Sequence, residues 1–459
     1  MALWTVKIFN HVSTLLFCSA SISSSVILRT LSSGVYKTRP TQTSPRFRTM
    51  PQQLQTSDAT SNDVKVNLLD LASACVACAE AASRVIKAIA EPQDQGDNDD
   101  HGDPNVDPNN PSSLLHKNTR LKDDGSFVTD ADFAAQGIIV KAIRSISPHV
   151  RIVGEESAEE MAMHSGKYLQ YNINDDVILH RTQQELRLRY HRKVIHPMPL
   201  AEGNAVQNHS DDVTNDEATK FLHGVLDPDE CFIGSSRVGV VVDPLDGTKS
   251  YAQGEYDAVS VLISIIVDNE PYFGVIGKPF GYPEGANLSS VLDRSCVIVY
   301  GGPLIKGVYV AGGREIVATP LISSNDSDLP RAVISSSRSN GVVQDFCAHL
   351  AAQKLIHKEP ILISGAGEKS LRLILQVNNE ALWFFPKKGT SLWDVAAPDA
   401  ILRSLGGKLT DKFGNAMDYS KAREDAENME GVVACIDADL HAQCIELFRQ
   451  GNWATRVYE

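Results

Sequence analysis

The sequence predicts a mixed fold, an α+β half followed by an α/β half, and three stretches carry that reading. Residues 238–242, Val-Gly-Val-Val-Val, form an apolar run without alternation, as a strand covered on both faces requires. Residues 258–267 and 272–280 are β-rich and separated by Asp268-Asn269-Glu270-Pro271, the pattern of a hairpin. From Ala332 onward, short apolar runs alternate with helical stretches, the pattern of an α/β layer.

A chain of 459 residues with 42% hydrophobic and 22% charged residues can bury a full core and form two domains with additions. Its net charge of -14 argues against a broad surface for a nucleic-acid polymer, so any phosphorylated partner is small. The eight cysteines are scattered; only Cys75 and Cys78 lie close, with no second pair to complete a zinc site or start a disulfide framework. Residues 1–57 lack Asp and Glu but hold Lys7, Arg29, Lys37, Arg39, Arg46 and Arg48 among many Ser and Thr. That composition predicts a targeting peptide for a mitochondrion or chloroplast, with the secretory route or the cytoplasm as alternatives. Serines interrupt the apolar stretch 12–28, so no membrane span is expected.

Taken in order, Leu68, Leu71, Cys75, Ala79, Ala82, Ile86 and Ile89 recur at helical spacing until Glu91-Pro92, predicting an amphipathic packing helix. Residues 91–111 are almost wholly Asp, Asn, Gln, Gly and Pro and read as a disordered acidic insertion. A helix is expected from Asp130 and Asp132 through Ile143 to Pro148, then a short apolar run ending in Gly154-Glu155-Glu156. Residues 158–230 read as a polar, irregular surface excursion. Their basic patch, 181–193, has some helical character and reads as a solvated face, with steering of an anionic substrate as the alternative. Later come a strand at 332–334, a helix at 342–352, a strand at 361–363 leading into Gly365-Ala-Gly-Glu-Lys369, and a strand at 381–385. Trp393-Asp394 opens a last predicted helix with Pro398 in its first turn and Gly406-Gly407 at its close.

The chemistry centres on Asp243-Pro244-Leu245-Asp246-Gly247-Thr248, where the valine run breaks into turn residues. Two carboxylates forced onto one short turn repel each other unless a cation or proton lies between them, and Mg²⁺ is the obvious cation. Glu155 and Asp394 also fall at element ends, so four acids can converge from separate segments, and the Leu245 carbonyl can complete octahedral coordination. Such a site would polarise a phosphate and activate a water. Thr248, at an expected helix start after Gly247, can contact that water and a phosphate oxygen. Gly365 and Gly367 let backbone amides approach an anion, and Lys369 adds a point charge.

The ordered blocks Thr129-Asp-Ala-Asp132, Val153-Gly-Glu-Glu-Ser157, Asp243-Pro-Leu-Asp-Gly-Thr248 and Trp393-Asp-Val-Ala-Ala397 resemble the lithium-sensitive, Mg²⁺-dependent phosphatases of the inositol monophosphatase superfamily over most of residues 63–440. The resemblance implies a layered αβαβα sandwich, with an amino-terminal α+β part at 63–312, a carboxy-terminal α/β part at 313–459, and the site between them. It implies two or three Mg²⁺ ions held by Glu155, Asp243, the Leu245 carbonyl, Asp246 and Asp394, and a water oriented by Asp132 and Thr248. Glu156 then becomes an accessory acid and Asp130 a cap.

Within the superfamily, Asp246-Gly-Thr-Lys-Ser-Tyr251, Ser337-Arg-Ser-Asn340, Gly365-Ala-Gly-Glu-Lys369 and Gly406-Gly-Lys-Leu-Thr-Asp411 look most like 3'(2'),5'-bisphosphate nucleotidases. That subgroup removes the 3'-phosphate of adenosine 3',5'-bisphosphate, with 3'-phosphoadenylyl sulfate as a second candidate substrate. By similarity, Gly247, Thr248, Ser337, Asn340, Ala366, Lys369 and Asp394 face the substrate, and Lys369 pairs with the phosphate that stays. Asn340 stands where the subgroup usually has His, which removes a chargeable group. The alternatives are an inositol polyphosphate 1-phosphatase and, in another class, a non-catalytic acidic binding module.

Overall fold

A computed structural model describes residues 63–90, 119–122, 125–164, 176–195, 231–281, 296–313, 315–319, 321 and 328–457. The expectations for 1–57, 91–111 and 196–230 lie outside these residues.

In chain order, β1 (Lys65–Asn67) leads into helix α1 (Leu68–Ala90). Hairpin strands β2 (Thr119–Leu121) and β3 (Phe127–Thr129) lead into α2 (Asp130–Ile146), and β4 (Arg151–Gly154) follows. Helices α3 (Ala158–His164) and α4 (Asp176–Tyr190) then precede β5 (Phe232–Gly234), which pairs with β1. The central strand β6 (Val238–Asp246) ends in the short helix α5 (Thr248–Ala252). Strands β7 (Ser260–Val267), β8 (Glu270–Lys278), β9 (Val297–Gly302), β10 (Gly307–Val310) and β11 (Glu315–Ile316) complete a seven-stranded sheet. Its order is β11-β10-β9-β8-β7-β6-β4, antiparallel except where β4 runs parallel to β6.

The second half alternates as expected: β12 (Arg331–Ser335), α6 (Val342–Ala352), β13 (Ile361–Ile363), α7 (Ala366–Leu375), β14 (Glu380–Phe385) and α8 (Leu392–Ser404). Strand β15 (Lys408–Thr410), strand β16 (Val432–Cys435) and helix α9 (Ala438–Gln450) close the chain, giving a five-stranded sheet ordered β13-β12-β14-β16-β15.

The layers follow from which face each residue buries. Val240, Val242, Ile263 and Ile265 pack toward α1 and α2, whereas their neighbours Val241, Leu262 and Ile266 join the core on the opposite face. Both faces of β6 and β7 are therefore apolar, which is why the valine run does not alternate. Helices α7 and α8 fill the layer between the sheets; the Ser264 hydroxyl on β7 donates to the Ala396 carbonyl on α8 at 3.2 Å. Helices α6 and α9 cover the far side of the second sheet, so the chain is an αβαβα sandwich whose described residues form one unit.

Four sequence expectations change. Residues 158–164 and 176–195 are helical rather than irregular. Helix α4 buries Ile178 and Leu186 beside α1, while Arg181, Arg192 and Lys193 stay exposed, so the basic patch keeps a solvated face that also pairs with acids. Arg181 pairs with Glu80 at 3.1 Å and Arg187 with Asp70 at 2.7 Å, while Arg189 pairs with Glu185 and lies 3.7 Å from the Tyr309 ring centroid. The acids on α1 and the aromatic on β10 use these charges, and no local signal in the patch announces partners that far away. Leu186→Ala is expected to cost about 2–4 kcal/mol in denaturant unfolding, since a fully buried leucine leaves a cavity; a surface excursion would lose almost nothing.

Pro398 lies inside α8, beyond its first turn, because a capping box between Ser391 and Asp394 starts the helix at Leu392. Asp130 is not the cap of α2. Thr129 caps that helix with Asp132 completing the box, and Asp130 pairs with Arg120 at 2.9 Å. Finally, β6 continues through Pro244 to Asp246, with a register shift between Asp243 and Asp246 that accommodates the proline. Among the described residues no helix is long and apolar enough to cross a membrane, and the cysteines are free.

Candidate active site

The irregularity at the end of β6 points Asp243 and Asp246 to the same place. With Asp394, from the start of α8, they form a group whose carboxylate oxygens lie within 4.8 Å of one another. Asp243 accepts from the Leu245 amide at 3.0 Å, and no cation is paired with it among the described residues. Asp246 is held by the start of α7: its Oδ1 accepts from the Ala366 amide at 3.0 Å, and its Oδ2 accepts from the Gly367 amide at 2.7 Å and the Ser260 hydroxyl at 2.9 Å. Glu155, after β4, is fixed by its own amide donating to the Val242 carbonyl at 3.1 Å, and its carboxylate pairs with Lys122 at 3.2 Å. The same lysine meets the buried Glu156 at 2.7 Å.

Electrostatics decide what this crowd needs. Burial, then Glu155, Asp246 and Asp394, pushes Asp243 well above the carboxylate range. Burial and the charge of Asp246 push Asp394 up to about 8. Burial, helped by Glu155, raises Glu156 to about 7, and burial with Glu155 raises Asp132 to about 8. Carboxyls that only protonation or a counter-charge can relieve are what a hard divalent cation binds, so these residues fit one. The Leu245 carbonyl, 2.9 Å from the Thr248 hydroxyl oxygen and an alternative acceptor to Asp132 for its one hydrogen, borders the same space.

Asp132 and Thr248 form a second unit beside the acids. The Asp132 Oδ2 accepts from the Thr129 amide at 2.8 Å and from the Thr129 hydroxyl at 2.6 Å, while its Oδ1 lies 3.1 Å from the Thr248 hydroxyl. Thr248 is set at the head of α5 by Gly247, whose φ of 85° suits a residue without Cβ; a Cβ there would come 2.9 Å from the Ala258 carbonyl.

The site opens into a cleft of about 660 Å³ whose lining holds Glu155, Asp246, Gly247, Thr248 and Asp394 together with Ser337, Arg338, Ala366 and Lys369. Lys369 is buried, donates to the Gly365 carbonyl at 2.7 Å and sits 5.6 Å from the Trp383 ring centroid. Burial lowers it to about 8. Asp243 lines the adjoining space with Leu245 and Asp246, Asp132 is fully buried, and Asn340 is exposed on the turn before α6, outside the lining residues. Sequence reasoning gave no site role to Lys122, Ser260, Trp383 or Arg338. Only Arg338 carried a local signal, as a single cation within a run of serines at the end of β12.

A layered sandwich with buried acids at element ends, a threonine–aspartate pair and an anion-accepting cleft defines a metal-dependent phosphate-processing enzyme. The sequence profile of the inositol monophosphatase family matches residues 202–451, and the chain belongs to that family. It is similar to 3'(2'),5'-bisphosphate nucleotidase 1 of Dictyostelium discoideum, 26% identical over 84% of this chain and 97% of that protein. Similarity to the human protein of the same name is 33% identity over 43% of this chain and 57% of that protein. The 3'(2'),5'-bisphosphate nucleotidase of Emericella nidulans is 28% identical over 69% of this chain and 86% of its own length.

Proposed function

We propose that the protein is an Mg²⁺-dependent 3'(2'),5'-bisphosphate nucleotidase that removes the 3'-phosphate of adenosine 3',5'-bisphosphate, with 3'-phosphoadenylyl sulfate as a second substrate. The observation that carries this is a cleft whose lining brings a crowd of carboxylates together with the cations Arg338 and Lys369, which suits a small phosphorylated molecule met by both metal and cationic side chains. The names of its relatives support the nucleotide over other bisphosphates.

Glu155, Asp243, the Leu245 carbonyl, Asp246 and Asp394 would hold two or three ions. Mg²⁺, when bound, polarises the phosphate and lowers the pKa of a nearby water. The protein's own part is to orient and deprotonate. Thr248 accepts a hydrogen bond from the attacking water and donates to Asp132, whose carboxylate takes the proton as general base. The water oxygen bonds to phosphorus as the ester bond to the 3'-oxygen breaks, with the water's proton passing to Asp132 and the 3'-oxygen taking a proton from solvent, giving inorganic phosphate and adenosine 5'-monophosphate. The site aspartates are assigned to metal and water rather than left free as nucleophiles, so hydrolysis proceeds by direct water attack without a phosphoenzyme.

A panel with Mg²⁺, with and without Li⁺, tests the reading. Adenosine 3',5'-bisphosphate is expected to exceed inositol 1,4-bisphosphate by at least about tenfold in kcat/KM, equivalent to about 1.4 kcal/mol of discrimination. The reverse order would make the protein an inositol polyphosphate 1-phosphatase, and no Mg²⁺-dependent phosphate release would leave a binding module. The acid-free residues 1–57 further support delivery to a mitochondrion or chloroplast, which a fluorescent fusion of the full chain would locate.

A further inference from the structure

We infer that Arg338 is a specificity-determining residue that holds the second anionic group of a bisphosphorylated substrate, and that Gly389 provides its seat. The inference rests on the nucleotidase reading above. Arg338 follows β12, where the chain leaves the second sheet, and lines the same cleft as the acids. Its guanidinium carbon lies 4.8 Å from the Phe385 ring centroid, and Nη2 donates to the Gly389 carbonyl at 3.2 Å. An arginine stacked on a ring and tied by one donor has lost much of its rotamer freedom before a ligand arrives. Its fork has five donors, so most remain available for the paired oxygens of a phosphate.

The seat depends on a missing side chain. A Cβ on residue 389 would come 2.0 Å from Nη1 of Arg338, and Gly389 has a φ of 120°. Any other residue there would displace the guanidinium from Phe385. Serines 336 and 337 line the same cleft and add hydroxyl donors, and the Lys369 amine, with one of its three donors on the Gly365 carbonyl, lies there as well. Arg338 is therefore a permanently charged group held in place on the cleft lining by Phe385 and Gly389.

The test is steady-state kinetics of the full-length Mg²⁺-loaded enzyme on adenosine 3',5'-bisphosphate and adenosine 3'-monophosphate, which share the hydrolysed group but not the second anion. Arg338→Gln is expected to raise KM for the bisphosphate about 30-fold with kcat held within about threefold, as loss of a charge-assisted contact made equally in ground and transition states predicts. The ratio of kcat/KM for bisphosphate over monophosphate falls with it. Arg338→Lys is expected to recover part of the ratio, and Gly389→Ala to lower it while keeping the arginine. An unchanged ratio in Arg338→Gln, or equal losses on both substrates, overturns the role of Arg338 alone. A wild-type enzyme inactive on both nucleotides overturns the nucleotidase reading and this inference with it.

Discussion

Asp243→Asn is expected to cut Mg²⁺-dependent turnover roughly 10³-fold while the protein stays folded, because a ligand supporting several kcal/mol of transition-state charge stabilisation is lost. The fold should tolerate it. Asn keeps the shape and can still accept from the Leu245 amide, and it removes a charge that has no paired cation among the described residues. A second readout separates metal loss from misfolding. In the metal-free wild type, Asp132 and Asp394 move from 3.8 to about 8 on folding, and Asp243 moves in the same direction. The native state then holds more protons than the unfolded chain between pH 4 and 8, so stability is fully present below about pH 4 and is lost as pH rises through about 8. Chelated wild-type protein should melt lower at pH 8 than at pH 6, and Mg²⁺ should remove most of that slope. Chelated Asp243→Asn should melt higher than chelated wild type at pH 8. Melting curves with and without Mg²⁺ check each point, and a variant with near-normal turnover would remove Asp243 from the metal site.

Asp132→Asn is expected to lower kcat by about 10² to 10³, the range for losing a general base, with KM changed little. Its carboxylate is the acceptor for Thr129, which caps α2, and for Thr248, which faces the substrate. Asn retains one oxygen for the cap but cannot take a proton from the water–Thr248 chain. Stabilisation of the variant by Mg²⁺ should persist, because its metal-binding acids are untouched. That separates it from Asp243→Asn: one variant loses the base and keeps the metal response, and the other loses both. A rise in KM without a fall in kcat, or loss of Mg²⁺ stabilisation, would place Asp132 among the metal ligands instead.

The chemistry of this protein was legible in its sequence because it is written at element ends. Asp243 and Asp246 announce themselves as two acids around a proline where a valine run stops, and Glu155 and Asp394 follow a strand and open a helix. Local rules of strand, turn and cap suffice to find each of them. The layers were legible for a similar reason, since an unalternating strand must be covered on both faces, whatever covers it.

What the sequence could not supply is any pairing between distant segments. The arginines of α4 read as solvated, as Arg181 is, but that they also meet Asp70, Glu80 and Tyr309 is not written locally. Asn340 stands in the segment expected to bind substrate, but the turn before α6 leaves it exposed outside the cleft lining, while Arg338, two residues earlier, is drawn onto Phe385 and Gly389 from separate stretches. Lys122 gains its role only when the β2–β3 hairpin carries it to Glu155 and Glu156. Residue type and spacing determined which chemistry the chain performs. Tertiary packing alone decided which cations meet which anions, because burial and charge pairing depend on distances that no local pattern encodes.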